Sequence, residues 1–118
     1  MDDGRPLFLQ IAERIESSIV DGSLAADTQV PSTNELAAFH RINPATAAKG
    51  INQLVADGIL YKRRGIGMFV ATDARPQLLE RRRRDFTRQF LAPLMAEASK
   101  LGMDAEEIKK LIDVWEPQ

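Results

Sequence analysis

Residues 41–60 read RINPATAAKGINQLVADGIL, and no other stretch limits the fold as tightly. Ala47, Gly50, Ile51 and Leu54 recur at helical spacing, which predicts a helix with one buried stripe. Pro44 does not argue against it. Asn43 is a good N-cap and Pro44 a good first helical residue, because the first N–H groups of a helix have no intrahelical partner. Asp57-Gly58 stops the helix. Gly50 costs a helix interior about 1 kcal/mol relative to Ala. The return expected for that cost is close approach of a crossing helix. The outward positions hold Asn43, Ala45, Thr46, Ala48 and Lys49, a small and polar face that is not built for a core.

The flanking segments give the helix its neighbours. Leu7, Ile11, Ile15 and Ile19 recur every four residues, with Gln10, Glu13, Arg14, Glu16 and Ser17 on the other face. This predicts an amphipathic helix from about Pro6 to Asp21, ended by Gly22. Ser32 followed by Glu35 is a capping box that opens a short second helix, with Leu36-Ala37 on its buried side. After the third helix, ILYKR and GMFVA read as short strands joined by a turn at RGIG. Helix, short helix, helix and hairpin make a winged helix-turn-helix.

Residues 75–118 read as a second unit. Leu79, Phe86, Phe90, Leu94 and Leu101 lie on one helical stripe. Pro93 removes the bond to the carbonyl of Gln89 and is expected to kink or break that helix. Gly102 ends it. Asp104 with Glu107 caps a last helix, whose Ile108, Leu111, Ile112 and Trp115 fall on one face. Two helices of this size cannot close a core alone, so they must pack on the winged domain or on a second copy of themselves. The four arginines 81–84 point all round the helix axis and cannot form one patch; pairing with Glu80 and Asp85 on a solvated surface is expected.

Composition narrows the function. The chain has 118 residues and no cysteine, which excludes disulfides and thiolate metal sites and suits a reducing, cytoplasmic location. No apolar run approaches a membrane span, and the start MDDGRP is no signal peptide. The net charge is −1, but it is unevenly spread. Residues 39–70 carry five Lys and Arg against one Asp, a net +4, whereas residues 1–38 carry two Arg against seven acidic residues, a net −5. No catalytic set, phosphate-binding glycine loop, metal cluster or cofactor motif is present, and His40, the only histidine, has no partner suggesting catalysis. No enzyme activity is expected.

The ordered run GSLAADTQVPSTNELA, then INPATAAKGINQLVADGILYKRRGIGMFV, resembles the DNA-binding domain of GntR-type bacterial transcription regulators. Asn43-Pro44-x-Thr46 with so short a tail is similar to the YtrA-like subfamily. The resemblance implies a mainly α fold with a small β-hairpin: a winged helix-turn-helix domain over residues 1–74 and a helical dimerisation tail over 75–118. It further implies a homodimeric regulator, expected to be a repressor, on an inverted-repeat operator in double-stranded DNA, with the third helix in the major groove and the wing near the minor groove. Carried over by position, Ser32, Thr33 and Asn34 would meet phosphates. Asn43, Ala45, Thr46 and Lys49 would face bases or phosphates, and Arg63, Arg64 and Gly65 would serve at the wing. Asn34 and Pro44 stand where many members carry a DNA-contacting Arg, so base readout is expected to differ here. Gly50 stands where Ala is common, a change that bears on packing.

The residues themselves agree with that assignment. Ala45 and Ala48 keep the third helix narrow enough for a groove, Asn43 and Thr46 can bond bases or phosphates, and Lys49 is a phosphate cation. The N–H groups of Thr33 and Asn34 form an anion site at a helix start. Arg63-Arg64 ahead of Gly65 put two long cations at a tip. Singly, each has an ordinary reading as filler or solvated surface; it is their order in a winged pattern that points to DNA. The rival is a winged module that binds protein, which would present an uncharged, apolar third helix. In the tail, Phe86, Phe90, Leu94, Ile108, Leu111 and Trp115 are the expected dimer contacts. Any small-molecule effector, of a kind the sequence does not name, would bind at a dimer or domain interface, since the tail is too short for a ligand lobe.

Overall fold

The computed structural model describes residues 4–118; the acidic start, residues 1–3, lies outside them. The chain divides into two compact units, one reaching to Glu80 and the other running from Arg81 to Gln118.

The first unit holds α1 (Leu7–Val20), α2 (Thr33–His40), α3 (Pro44–Ala56), β1 (Leu60–Arg63), β2 (Gly67–Val70) and the start of α4 (Ala74–Phe86). Its core joins Ile11, Ile15 and Ile19 of α1 to Leu36 and Ala37 of α2 and to Ala47, Ile51 and Leu54 of α3. Ile59, Leu60, Val70, Ala74 and Leu78 complete it. Fully burying each large aliphatic side chain stabilises the fold by about 1.5–3 kcal/mol. The α3 stripe expected from periodicity is therefore the centre of the core. In α4 the buried residues are Ala74 and Leu78, with Leu79 only half-buried beside them.

Gly50 sits where two backbones meet. A Cβ built there would lie 2.7 Å from the Phe8 carbonyl oxygen and 3.3 Å from Ile11 Cβ, so α1 and α3 cross at a distance that only glycine permits. Asn43 caps α3 by accepting from Ala45 N–H at 2.8 Å, with Pro44 in its first turn. Ser32 and Glu35 form the reciprocal capping box on α2.

The turn between α2 and α3 has a cost that the sequence did not announce. Ile42 N–H bonds Ala37 O at 3.0 Å and Arg41 N–H bonds Ala38 O at 3.3 Å, the paired bonds of a Schellman closure. The left-handed position of that closure is filled by Arg41, at φ +54°, rather than by glycine. The end of α3 uses the same closure with Gly58 at φ +77°, free of steric cost.

Two details of α1 differ from expectation. Pro6 is the N-cap at ψ 137°, and the helix begins at Leu7. Gln10, expected on the polar face, is buried; its amide Nε2 donates to the Arg5 carbonyl at 2.8 Å, which satisfies it inside the fold.

The hairpin pairs Leu60 with Val70, Tyr61 with Phe69, Lys62 with Met68 and Arg63 with Gly67, antiparallel. It is not alone. Residues 27–30, in the link from α1 to α2, lie along β2 outside the two-stranded sheet and bond to it. Asp27 N–H bonds Val70 O at 2.8 Å, Val70 N–H bonds Thr28 O at 3.0 Å and Val30 N–H bonds Met68 O at 2.9 Å. Gln29 bridges Phe69.

The second unit continues α4 through a π-helical turn (Thr87–Leu91) into α5 (Ala92–Lys100), followed by α6 (Ala105–Val114). Ala92 N–H bonds the carbonyl of Thr87, five residues back. The disruption expected from Pro93 is thus a widened turn immediately before it, with Pro93 in the first turn of α5. Gly102, at φ +71°, ends α5, and Asp104 with Glu107 forms the second capping box. Trp115 lies just past α6 in extended backbone, φ −70° and ψ 134°. Asp85 pairs with Arg88 at 3.3 Å. In this unit only Ala98 and Ile108 are buried among the apolar residues, whereas Phe86, Phe90, Leu94, Leu111 and Trp115 are exposed.

Candidate nucleic-acid interface

Three parts of the first unit present the residues selected from sequence. The first is the start of α2. The Ser32 hydroxyl accepts from Glu35 N–H at 3.1 Å, and Glu35 Oε1 accepts from Ser32 N–H at 3.1 Å. This leaves the N–H groups of Thr33 and Asn34 as donors at the positive end of the helix, with both side chains at least partly exposed. Glu35 sets a negative charge beside them, so the anion site is tempered. The Ser32 oxygen is already engaged in the cap.

The second part is the start of α3. Asn43 and Ala45 are exposed, while Thr46 and Ala48 are half-buried. The Asn43 carbonyl oxygen is used by the cap, so its side-chain NH2 is the group open to a partner. Lys49 is exposed, and its ammonium lies 4.1 Å over the centre of the Phe8 ring. That cation–π contact holds the charge on the α1 side of α3. Leu7, Phe8, Ala45, Thr46 and Lys49 together line an open hollow of about 450 Å³ between the two helix starts. No local pattern marks Phe8 as the residue that steers Lys49.

The third part is the wing. Tyr61, Arg63, Gly67 and Phe69 share one face of the hairpin, as their register requires. The Arg63 guanidinium stands 5.0 Å over the Phe69 ring, and Phe69 stacks on Tyr61 at 5.8 Å. Arg63 is thereby laid back along the strand. Arg64 and Gly65 form the tip, closed by an Ile66 N–H to Arg63 O bond of 2.9 Å, with Gly65 at φ +77°. Arg64 is exposed and makes no ion pair with any described residue.

At the wing's base, Tyr61 Oη donates to Asp27 Oδ1 at 2.9 Å. That bond, then burial and the charge of Asp27, push the Tyr61 hydroxyl above its ordinary pKa. Asp27 itself is held at φ +62°, an uncommon backbone for a residue with a side chain. His40 closes α2 with its ring edge-on to Phe39 at 4.9 Å. Partial burial, then the nearby charge of Arg14, lowers its pKa.

Among the described residues, no group of three or more His, Cys, Asp and Glu side chains could hold a metal ion. No helix is long and apolar enough to cross a membrane. Sequence reasoning missed Phe8, Gln29 and Asp27 as parts of this surface, because each acts through a partner far away in the chain.

Known proteins share this architecture. Residues 7–70 match the bacterial regulatory proteins of the gntR family. The uncharacterized HTH-type transcriptional regulator YhcF of Bacillus subtilis is 30% identical over 88% of this chain and 84% of its own. The HTH-type transcriptional repressor YtrA of the same organism is 27% identical over 91% of this chain and 82% of its own. A transcriptional regulator from Oenococcus oeni superposes with a TM-score of 0.80 at 30% identity, over 96% of this chain and 92% of that one. The AraR DNA-binding domain, solved in complex with operator ORX1, superposes with a TM-score of 0.56 at 35% identity, over 60% of this chain and 86% of that one. With its winged helix-turn-helix and a family match that spans all of α1 to β2, the chain belongs to the gntR family of bacterial regulatory proteins, and is a transcription regulator rather than an enzyme.

Proposed function

We propose that this regulator is a cytoplasmic repressor that binds an inverted-repeat operator as a homodimer. In this reading residues 1–74 bind DNA and residues 75–118 hold two copies together. The start of α3 enters the major groove with Asn43, Ala45, Thr46 and Lys49. The N–H groups of Thr33 and Asn34, beside Ser32, hold a phosphate, and Arg63, Arg64 and Gly65 lie at the adjacent minor groove. The observation that carries the reading is the coincidence, on one unit, of a small polar helix start, an open helix N-terminus and an exposed Arg64 that pairs with no described acidic residue. Such groups suit phosphate positioning and groove contact. The operator complex of the similar AraR domain supports the same use of the fold.

Dimerisation is supported by the exposure of Phe86, Phe90, Leu94, Leu111 and Trp115. Soluble monomers seldom leave such a set open to water. Ile108, also expected at the dimer contact, is 7% exposed and already packed within its own chain, so it would support the interface from beneath.

The test is selection of duplexes from a random pool at fixed salt, followed by affinity measurements across a salt series. A two-fold repeat with half-sites about 10 base pairs apart, or a multiple, is expected. Lys49→Ala and Arg64→Ala each remove a cation from both copies, so each should flatten the log-affinity against log-salt slope by roughly 2. Thr46→Ala should leave the slope unchanged. A single asymmetric footprint, or slopes unmoved by either cation, would refute the reading.

A further inference from the structure

Gln29 lies in the link between α1 and α2, far along the chain from the hairpin, yet it reaches the tip of the wing. Its side-chain Nε2 donates to the carbonyl of Ile66 at 3.0 Å, across 37 residues of chain. Its backbone bridges Phe69, so the side chain springs from a point fixed against β2. Gly67, between those two anchor points, is at φ +146°. A Cβ added there would lie 2.5 Å from Gln29 Nε2, so the amide occupies the space that a side chain at 67 would need.

The wing therefore has a hinge and a clasp. Gly67 is the hinge, because glycine alone has that backbone freedom where the strand meets the tip. The carbonyl of Ile66 adjoins it, and the Gln29 amide crosses it. Without the clasp the tip would hang on one turn bond, from Ile66 N–H to Arg63 O, and on a four-residue strand pair. Arg64, which no ion pair with a described residue steadies, takes its direction from that tip.

We infer that Gln29 is a positioning residue for DNA recognition: its amide clasps the wing across Gly67 and sets where Arg64 meets the operator flank. The inference rests on the proposed use of the wing at DNA. It predicts that discrimination between A/T-rich and G/C-rich flanks, which a cation in a narrow minor groove provides, depends on Gln29 acting through the wing tip that carries Arg64.

The experiment compares wild type, Gln29→Met, Gln29→Glu, Arg64→Ala and the double variant Gln29→Met/Arg64→Ala. The probes are duplexes selected by the wild-type protein, each built with A/T-rich or G/C-rich flanks. Met keeps the length and packing of Gln without a donor; Glu keeps its shape and places an acceptor against the Ile66 carbonyl. Backbone order parameters from 15N relaxation of the free protein are measured in parallel. Both Gln29 variants should lower the order parameters of Gly65, Ile66 and Gly67 while leaving α3 unchanged. On the A/T-flanked duplex, affinity should fall by about 3- to 10-fold, the worth of one net hydrogen bond. On the G/C-flanked duplex the loss should be smaller. On the Arg64→Ala background, Gln29→Met should cost less than about 2-fold, since the two act as one unit. Equal losses on both backgrounds, or unchanged order at 65–67, would overturn the inference. If Arg64→Ala weakens binding and Gln29→Met does not, the clasp is wrong and the wing contact stands. If Arg64→Ala has no effect on either duplex, the wing contact fails, and the role of Gln29 in recognition fails with it.

Discussion

The two units of this chain carry similar apolar periodicity and treat it in opposite ways. In the first, every residue of the α3 stripe is buried, and the core runs through three helices, the hairpin and the start of α4. In the second, Ala98 and Ile108 alone among the apolar residues are buried, while Phe90, Leu101, Leu111, Ile112 and Trp115 are each more than half exposed. Periodicity thus says which residues share a face. It does not say what covers that face. Three crossing helices enclose a stripe; two short helices leave most of theirs exposed.

If that contrast is right, damage to the first unit acts on folding and damage to the second on association. The largest effect is expected from Leu54→Ala, which empties a fully buried position. It should cost about 2–5 kcal/mol in urea unfolding followed by circular dichroism. A cost below 1 kcal/mol would mean that the core is looser than its burial implies.

Next is Gly50→Ala. The change gains about 1 kcal/mol of helix propensity, but its methyl meets the Phe8 backbone oxygen, an atom that cannot swing aside. A net loss of about 1–3 kcal/mol is expected from forcing α1 and α3 apart. A stabilised protein would show that the crossing can relax.

The third prediction concerns the second unit. Phe90→Ala should leave the unfolding of the first unit unchanged and weaken the proposed dimer about tenfold, or about 1.4 kcal/mol. Sedimentation of the wild type at micromolar concentration should give about twice the 13.2 kDa chain mass. Trp115, the only tryptophan and 71% exposed in the single chain, provides a second readout. Its emission should shift to the red as the wild type is diluted. An emission maximum independent of concentration would break the comparison.

The smallest effect is one of pH within the first unit. The folded-state pKa of His40 lies below the ordinary value of 6.5. The unfolded chain therefore binds its proton first as pH falls. Stability from this residue is full above about pH 6.5 and is lost as pH falls through the folded-state pKa. His40→Gln should flatten the stability profile in that window, as measured by thermal unfolding at fixed ionic strength. An unchanged profile would show that the ring is as well solvated folded as unfolded.

Local signals were legible in the sequence wherever the interaction was itself local. Asn43, Pro44, Ser32 with Glu35, Asp104 with Glu107, and Gly102 were readable because a cap is made within four residues of chain. Gly50 was readable as a close contact, because a helix-interior glycine needs a packing reason. The bridge of residues 27–30 to β2 was not, since it is held by bonds to Met68 and Val70, some forty residues on. Nor was the left-handed Arg41, which occupies a position where glycine would have been the warning.

By itself the sequence determined the order of elements, their caps and the apolar stripes, and with its motifs it determined the family. Those features depend on backbone propensity and on side-chain period, which are properties of short windows. Tertiary structure alone decided where the candidate DNA-contacting side chains are held. Phe8 draws Lys49 toward α1, Phe69 lays Arg63 along the strand, and Gln29 ties the wing tip to the link before α2. The first and last join segments distant in the chain and the second crosses the hairpin, and the energy of each depends on a distance that no local pattern encodes.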